Sequence, residues 1–347
     1  MSESKVKKLN LDEVSFIRPI LIILLILVHC FTVFNHGWEP FPGFQENKGY
    51  MWLSRLSYSF MLETFVFISG YVYAFQVLAL QKTYTITKLV KNKASRLLLP
   101  SIVFSLIYVQ VFTTDNFTNV DSVSELGGLC LSVISGVGHL WYLPVLFWCF
   151  ISMYILEKFS ISEKLKFGLL VFISFIPYFY LPLQLYRVPY YFLFFFLGYK
   201  MWQYKDKYIS KVSISNTLKL WVAFIVTFII LRTFKANVVE LSDAMSLPLK
   251  ALLKTLSNVC TLIYSSLGLI SMFFTSILST QKYKLKTWYI SLGGMCFGVY
   301  IFQEFIIKYL YYYTDLGERV SYLVLPWIVF IITTVTSILL SKSTKTL

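Results

Sequence analysis

The sequence has few charged residues, which make up only 14% of its 347 positions, whereas 57% are hydrophobic. A soluble domain of this length would carry about 25% charged residues. The mean hydropathy of +0.68 agrees with this shortage of charge. The composition therefore excludes an ordinary soluble protein and predicts a polytopic membrane protein.

Cysteine pairs and metal-ligand patterns are also missing. The five cysteines lie singly in apolar stretches, with no C-x-x-C motif and no cysteine–histidine cluster at ligand spacing. We therefore predict buried thiols and no metal site. The amino terminus, MSESKVKKLNLDEVS, is too polar and too acidic in its second half for a signal peptide, so the first apolar run should stay attached.

Long apolar runs, by contrast, are abundant. About 20 apolar residues cross the ~30 Å of a bilayer core as a helix. Ten candidate runs lie at 16–35, 57–79, 97–113, 139–156, 166–182, 187–203, 218–234, 255–278, 289–312 and 321–340. We predict an all-α fold, a polytopic transmembrane bundle of about ten spanning helices. A single membrane-embedded domain over residues 1–347, with no soluble extension, is the expected organisation.

The net charge of +14 follows the same topology. Most lysines and arginines fall in short loops on the side of both termini, as in KLVKNKASR after the second run. Such a bias orients these loops to the cytoplasm. The charge therefore needs no nucleic-acid partner, and both termini are predicted to be cytoplasmic.

The first run, FIRPILIILLILVHCFTVF, carries one charge, Arg18, and one titratable ring, His29. Eleven residues of helix span roughly 16 Å and return to within about 20° of the same face. Ionisable residues in a spanning helix usually face a partner or a cavity. We predict that this pair marks a site, although Arg18 alone could reach the headgroups instead.

Three later stretches carry further polar residues. Glu63 lies inside the second run, where it either joins the site or bonds another helix. GHLWYLPVLF places His139, Trp141 and Tyr142 at the mouth of the fourth run, as an interfacial belt or a sugar-binding surface. In the ninth run the position of Glu304, near the end of the span, favours an interfacial carboxylate.

Together these stretches resemble the acyltransferase-3 family of membrane acyltransferases. The matching motifs, in family order, are Arg18-x10-His29, FVFISGY, RLLLP beginning at Arg96, GHLWYLPVLF and SLGGMCFGVYIFQ. The family takes an acyl group from cytoplasmic acyl-CoA and places it on a hydroxyl, often of a surface glycan. The resemblance implies a catalytic His29, with Arg18, Arg96 and Lys93 near the CoA phosphates.

Two positions depart from the family pattern. Lys93 stands where relatives more often have arginine, and a lysine lacks the bidentate fork of a guanidinium. Gln303 stands where many relatives have histidine, so no proton transfer is expected there. We assign Gln303 to the acceptor-binding surface, together with His139, Trp141 and Tyr142.

The resulting hypothesis is a multi-pass plasma (inner) membrane O-acyltransferase. It would move an acyl group, expected to be acetyl, from cytoplasmic acyl-CoA (acetyl-CoA) to a hydroxyl of a cell-surface polysaccharide or its lipid-linked precursor. His29 would act as general base, oriented by Glu63. The alternatives are a transporter or exporter with a His29–Glu63 proton relay, and a non-catalytic partner in glycan assembly. Oligomeric state is not predicted.

Overall fold

A computed structural model describes residues 11–113, 117–175, 181–242 and 246–344. Over these residues every regular element is helical. The α-helices are α1 Asp12–Cys30, α2 Lys48–Ala74, α3 Ile86–Lys93, α4 Leu99–Phe112, α5 Val123–Ser135, α6 Tyr142–Leu156, α7 Glu163–Phe175, α8 Val188–Gln203, α9 Lys205–Ile209, α10 Ile214–Ser242, α11 Leu247–Lys282, α12 Thr287–Tyr312, α13 Leu316–Arg319 and α14 Leu325–Thr344.

Eight helical stretches in the described part of the chain are long and apolar enough to cross a membrane. Three of these stretches combine an α-helix with a neighbouring helical segment. A π-helical turn extends α2 to Ala79, a second π-helical turn connects α3 to α4, and a 3-10 turn at Gly138–Trp141 precedes α6. The eight are Asp12–Cys30, Lys48–Ala79, Ile86–Phe112, Gly138–Leu156, Ile214–Asn237, Pro248–Lys282, Thr287–Tyr312 and Leu325–Ser343. The predicted all-α polytopic bundle is confirmed.

The two other predicted runs coincide with shorter helices. The run at 166–182 overlaps α7, which has 13 residues, and positions 176–180 lie outside the described residues. The run at 187–203 corresponds to the 16-residue α8. α8 still lies alongside the length of α6, since Arg187 stacks 4.1 Å from the Trp141 ring at one end and Lys200 lies 3.9 Å from Glu157 at the other.

Close backbone contact joins α2 and α8. A Cβ atom added to Gly70 would overlap the carbonyl of Phe195, and one added to Gly198 would overlap the carbonyl of Phe67. Small residues allow helices to approach this closely in a membrane, where van der Waals packing drives association. Gly70 and Gly198 therefore allow α2 and α8 to pack with their backbones in contact.

We call the end of the bundle at which α1 begins the amino-terminal face, and the other end the opposite face. At the amino-terminal face the buried Glu13 accepts hydrogen bonds from the Tyr71 hydroxyl at 2.5 Å and from Lys205 Nζ at 2.9 Å. These bonds tie the start of α1 to α2 and α9. Because α1 also packs against α11, α12 and α14, its position in the bundle is held on all sides.

At the opposite face, residues 36–47 fold over the end of the bundle between α1 and α2. Phe41 in this loop is buried and stacks on Tyr311 of α12, with ring centroids 4.9 Å apart. Trp38 stacks nearly parallel to the His29 ring at 5.8 Å. The loop therefore covers the end of α1 that carries the histidine.

Candidate active site

His29 lies in the last turn of α1, and α12 supplies its main partner. Residues 300, 303, 304, 307 and 311 follow helical spacing and form the buried face of α12. This face directs Gln303 towards α1, where its Oε1 lies 2.9 Å from His29 Nδ1. An amide oxygen only accepts, so Nδ1 carries a proton, and in the neutral ring Nε2 keeps its lone pair.

Glu304, beside Gln303, lies between two histidines and is only 2% exposed. Its Oε2 is 3.0 Å from His139 Nδ1 and 3.9 Å from His29 Nε2. Glu304 Oε2 and His139 Nδ1 are within ion-pair distance but do not form a hydrogen bond, so their attraction is mainly electrostatic. Glu304 can therefore balance a positive charge on either ring.

His139 differs from His29 because both of its nitrogens are engaged. Nε2 lies 3.1 Å from the carbonyl oxygen of Ile301, which can only accept, so Nε2 carries a proton. Nδ1 then faces the Glu304 carboxylate at 3.0 Å, so the ring has a polar neighbour at each nitrogen. The Tyr300 hydroxyl, which donates to the His139 carbonyl at 2.5 Å, fixes the turn that carries this ring.

Aromatic side chains enclose the remaining sides of the cluster. The Tyr108 hydroxyl of α4 donates to Glu304 Oε1 at 2.7 Å. Lys308 Nζ lies 5.2 Å from the Trp38 ring centroid and 4.9 Å from that of Tyr108, so this cation rests between two π faces. His29, His139, Gln303 and Glu304 thus form one polar cluster inside an apolar and aromatic surround.

A cavity of about 290 Å³ lies among α1, α2, α6 and α12. Arg18 and Gly293 line it towards the amino-terminal face, and Leu25 lines it further along α1. Tyr142 and Tyr300 line it near the polar cluster. The cavity therefore runs along the α1 face that bears Arg18, and a flexible chain of small cross-section would fit it.

A second cleft, of about 400 Å³, opens at the opposite face. Trp38, Glu39, Lys308 and Tyr312 line it, so it mixes aromatic rings with both signs of charge. Trp38 also stacks on His29 and Lys308 contacts Tyr108. The polar cluster therefore lies between this cleft and the Arg18 cavity.

Glu63 lies elsewhere, which corrects the expectation that it orients His29. Its Oε1 accepts from the Tyr190 hydroxyl of α8 at 2.8 Å, and Ser265 Oγ of α11 lies 3.4 Å away. The carboxylate that faces His29 is that of Glu304 instead. The cause is helix rotation, because the α2 face that carries Glu63 packs on α8 and α11.

The other predicted site residues lie around the Arg18 cavity or beside it. Tyr142 lines the cavity, whereas the Trp141 ring packs on Arg187 and Tyr191. Lys93 Nζ lies 3.4 Å above the Phe150 ring, and Arg96 is exposed. The structure therefore joins His29 with His139 and Gln303, and places Lys93 and Arg96 towards the amino-terminal face.

Sequence reasoning missed one member of the cluster, Glu304, and two aromatic residues beside it. The interfacial position expected for Glu304 is wrong, because the loop over the opposite face and α4 bury it. The available signal for Glu304 was its position directly after Gln303, the last residue of a family motif. Trp38 and Tyr108 carried no signal, since aromatic residues are common throughout this chain, at 19%.

The comparisons with known proteins agree with this architecture. Neither a search of curated proteins nor a search of solved structures found a match. The model of the acyltransferase-3 family, described as an acyltransferase domain, matches residues 11–342. This match covers nearly the whole chain, including every residue of the polar cluster. The protein therefore belongs to the acyltransferase-3 family and is a membrane acyltransferase.

Proposed function

We propose that the protein is an O-acyltransferase that moves an acyl group, most simply acetyl, from acyl-CoA to a hydroxyl of a surface polysaccharide or its lipid-linked precursor. The observation that carries the proposal is the state of His29. Its Nδ1 is held by Gln303, its Nε2 has a free lone pair, and Glu304 lies 3.9 Å from that nitrogen. A neutral imidazole in this state is a general base.

In the proposed reaction, His29 Nε2 takes the proton of the acceptor hydroxyl as its oxygen attacks the acyl carbonyl carbon. The new C–O bond forms, the C–S bond of the thioester breaks, and its electron pair goes to sulfur. The imidazolium then returns the proton to that sulfur. Glu304 stabilises the imidazolium while it exists, as a carboxylate does in a catalytic triad.

Gln303 has a second role in this scheme. Its Nε2 is buried and has no hydrogen-bond partner among the described residues. An unpaired buried donor beside the base is suited to the carbonyl oxygen of the acyl group, where negative charge develops during attack. The amide thus fixes the tautomer with its oxygen and stabilises the oxyanion with its nitrogen.

The two openings suit two substrates that approach from opposite sides. Arg18 in the Arg18 cavity can bind a phosphate, and Lys93 and Arg96 lie towards the same amino-terminal face. The cleft beside Trp38 and Tyr312 offers rings on which a sugar can pack. The basic loops favour an amino-terminal face on the cytoplasmic side of the plasma membrane. The donor would then enter from the cytoplasm, the acceptor from the other side, and the two would meet at His29.

The test is transfer of radiolabelled acetyl from acetyl-CoA by the purified full-length protein in nanodiscs, with extracted cell-envelope glycan as acceptor. His29→Ala should lower the rate by about 10²–10⁴-fold, the usual contribution of a general base. Arg18→Ala should weaken saturable acetyl-CoA binding. His36→Asn is the matched control, because His36 is an exposed ring at φ 61°, a conformation that asparagine tolerates.

Retained transfer in His29→Ala would refute the base assignment. Absence of binding and turnover with any short acyl-CoA would instead favour a transporter in which the same cluster relays protons.

A further inference from the structure

A third cleft, of about 470 Å³, opens at the amino-terminal face where α2, α6 and α8 end. Its walls carry four tyrosines and its rim carries two lysines, although neither the sequence motifs nor the reaction at His29 uses any of them. The tyrosines and lysines are Tyr73, Tyr84, Tyr154, Tyr199, Lys82 and Lys158.

The aromatic walls offer flat surfaces for a ring system. Tyr73 and Tyr84 are stacked, with ring centroids 6.2 Å apart and planes 28° from parallel. Tyr73 and Tyr199 are buried, whereas Tyr84 and Tyr154 are partly exposed towards the cleft. Planar bases stack on such rings with little dependence on their identity.

The charges around the cleft suit an anion. Lys82 and Lys158 lie at the rim, and Lys158 Nζ is 4.6 Å from the Tyr154 ring centroid. The carboxylate in the wall, Glu157, is already compensated, because Lys166 and Lys200 each lie 3.9 Å from its Oε1. The Tyr199 hydroxyl also donates to its Oε2 at 3.2 Å.

The cleft continues the line of the Arg18 cavity. Both lie between α2 and α6, and Val77 of the cleft is eight residues beyond Ser69 of the cavity, about 12 Å along the helix. Phe150 contacts the cleft residue Tyr73, with ring centroids 5.5 Å apart, and has Lys93 Nζ 3.4 Å above its ring. Lys93 is therefore only one side chain away from the wall of the cleft.

We infer that this tyrosine cleft binds the adenine nucleotide end of the acyl donor, with the base on Tyr84 and Tyr154 and the ribose phosphate at Lys82 and Lys158. The inference rests on the proposed function, since it gives the acyl-CoA a second anchoring point. The diphosphate would then lie by Lys93 and Arg18, and the arm would extend along the Arg18 cavity and bring the thioester to His29.

The experiment measures two quantities on the full-length protein in nanodiscs. The first is binding of radiolabelled adenosine 3′,5′-bisphosphate, a nucleotide without the arm or the acyl group. The second is KM for acetyl-CoA and for acetyl-pantetheine, a donor without the nucleotide. The variants are Tyr84→Leu in the partly exposed loop and Lys158→Gln. Tyr283→Leu is the control, because Tyr283 is an exposed tyrosine at the same face outside the cleft.

Tyr84→Leu should weaken nucleotide binding and raise KM for acetyl-CoA by roughly five- to a hundred-fold, the effect of removing one stacking partner. KM for acetyl-pantetheine and kcat should not change, and the control should match the wild type. Lys158→Gln should weaken nucleotide binding in the same selective way.

Normal acetyl-CoA turnover with unaltered nucleotide binding in both variants would overturn the nucleotide site and leave the proposed function standing. Failure of both donors in the wild type would refute the proposed function. In that case the nucleotide-binding measurement alone would test the cleft. Binding by the wild type that is lost in Tyr84→Leu would support a nucleotide site, and no binding by the wild type would overturn it.

Discussion

Glu63 of α2 and Glu304 of α12 are both buried carboxylates in long apolar helices, but their neighbours differ. Glu63 is bonded through Oε1 to the hydroxyl of Tyr190, with Ser265 nearby, and its Oε2 has no hydrogen-bond partner among the described residues. Glu304 faces two imidazole rings as well as a hydroxyl. A buried carboxylate can take part in proton transfer only where a neighbouring group can bind a proton.

We therefore propose different roles for the two acids. Glu63 links α2 to α8 and α11 by hydrogen bonds, so it belongs to helix association. Glu304 lies 3.9 Å from His29 Nε2, which is why we propose a part in proton transfer for it. Burial in a spanning helix therefore does not distinguish the two acids, whereas their contact partners do.

The largest expected difference is in the rate of transfer. Glu304→Gln removes the charge that stabilises the His29 imidazolium and should lower acetyl transfer by about 10²–10⁴-fold. Glu63→Gln keeps a hydrogen-bonding group of the same shape and should stay within about ten-fold of the wild type. Initial rates in nanodiscs measure both. An equal loss in the two variants would remove the distinction between them.

A smaller difference is expected when each acid loses its tyrosine hydroxyl. Tyr108→Phe and Tyr190→Phe each take a hydroxyl donor from a buried carboxylate, which should cost about 1–3 kcal/mol of stability. Thermal unfolding in detergent should therefore show a lower Tm for both.

Only Tyr108→Phe should also slow transfer, because only its partner touches the histidines. Phe112→Leu serves as the control for loss of aromatic packing beside Tyr108. A slower rate in Tyr190→Phe than in Tyr108→Phe would argue for a catalytic Glu63.

The smallest effect concerns an acid outside the apolar segments. At the start of α7, burial acts to raise the pKa of Glu163, but hydrogen bonds and charges from Lys200 and Lys166 outweigh it and hold this pKa below its usual value. A lowered folded pKa means that the ion pairs stabilise the protein above the unfolded value of about 4.3. This stability is lost as the pH falls through the folded pKa.

Because the Glu163 side chain is 42% exposed, solvent screening limits the gain to roughly 0.2–1 kcal/mol. The difference in Tm between the wild type and Glu163→Gln should be largest near pH 6 and should shrink towards pH 3. A difference that is constant over this range would exclude the ionic contribution.

Much of the architecture could be predicted from apolar runs. Helices are required wherever a chain crosses hydrocarbon, because no water satisfies the backbone there. The same reasoning selected Arg18 and His29 on one helix, and the family motifs added His139 and Gln303. The short α7 and α8 were harder to assign, because length is what separates a crossing from a buried helix.

The partners of each polar side chain were not predictable in the same way. His29 and Gln303 are 274 residues apart in the chain, and Tyr108 and Glu304 are 196 apart. Their contacts depend on the rotation of each helix about its axis. Hydropathy carries little information about rotation when a helix is apolar on all sides.

By itself, the sequence determined that this protein is a helical membrane bundle with an ionisable pair on its first helix, since the cost of burying backbone and charge in lipid allows few other arrangements. The tertiary structure decided which carboxylate meets His29, which loop covers it and where the cavities lie. The physical reason is that close packing through small residues such as Gly70 and Gly198 sets how the helices turn towards one another.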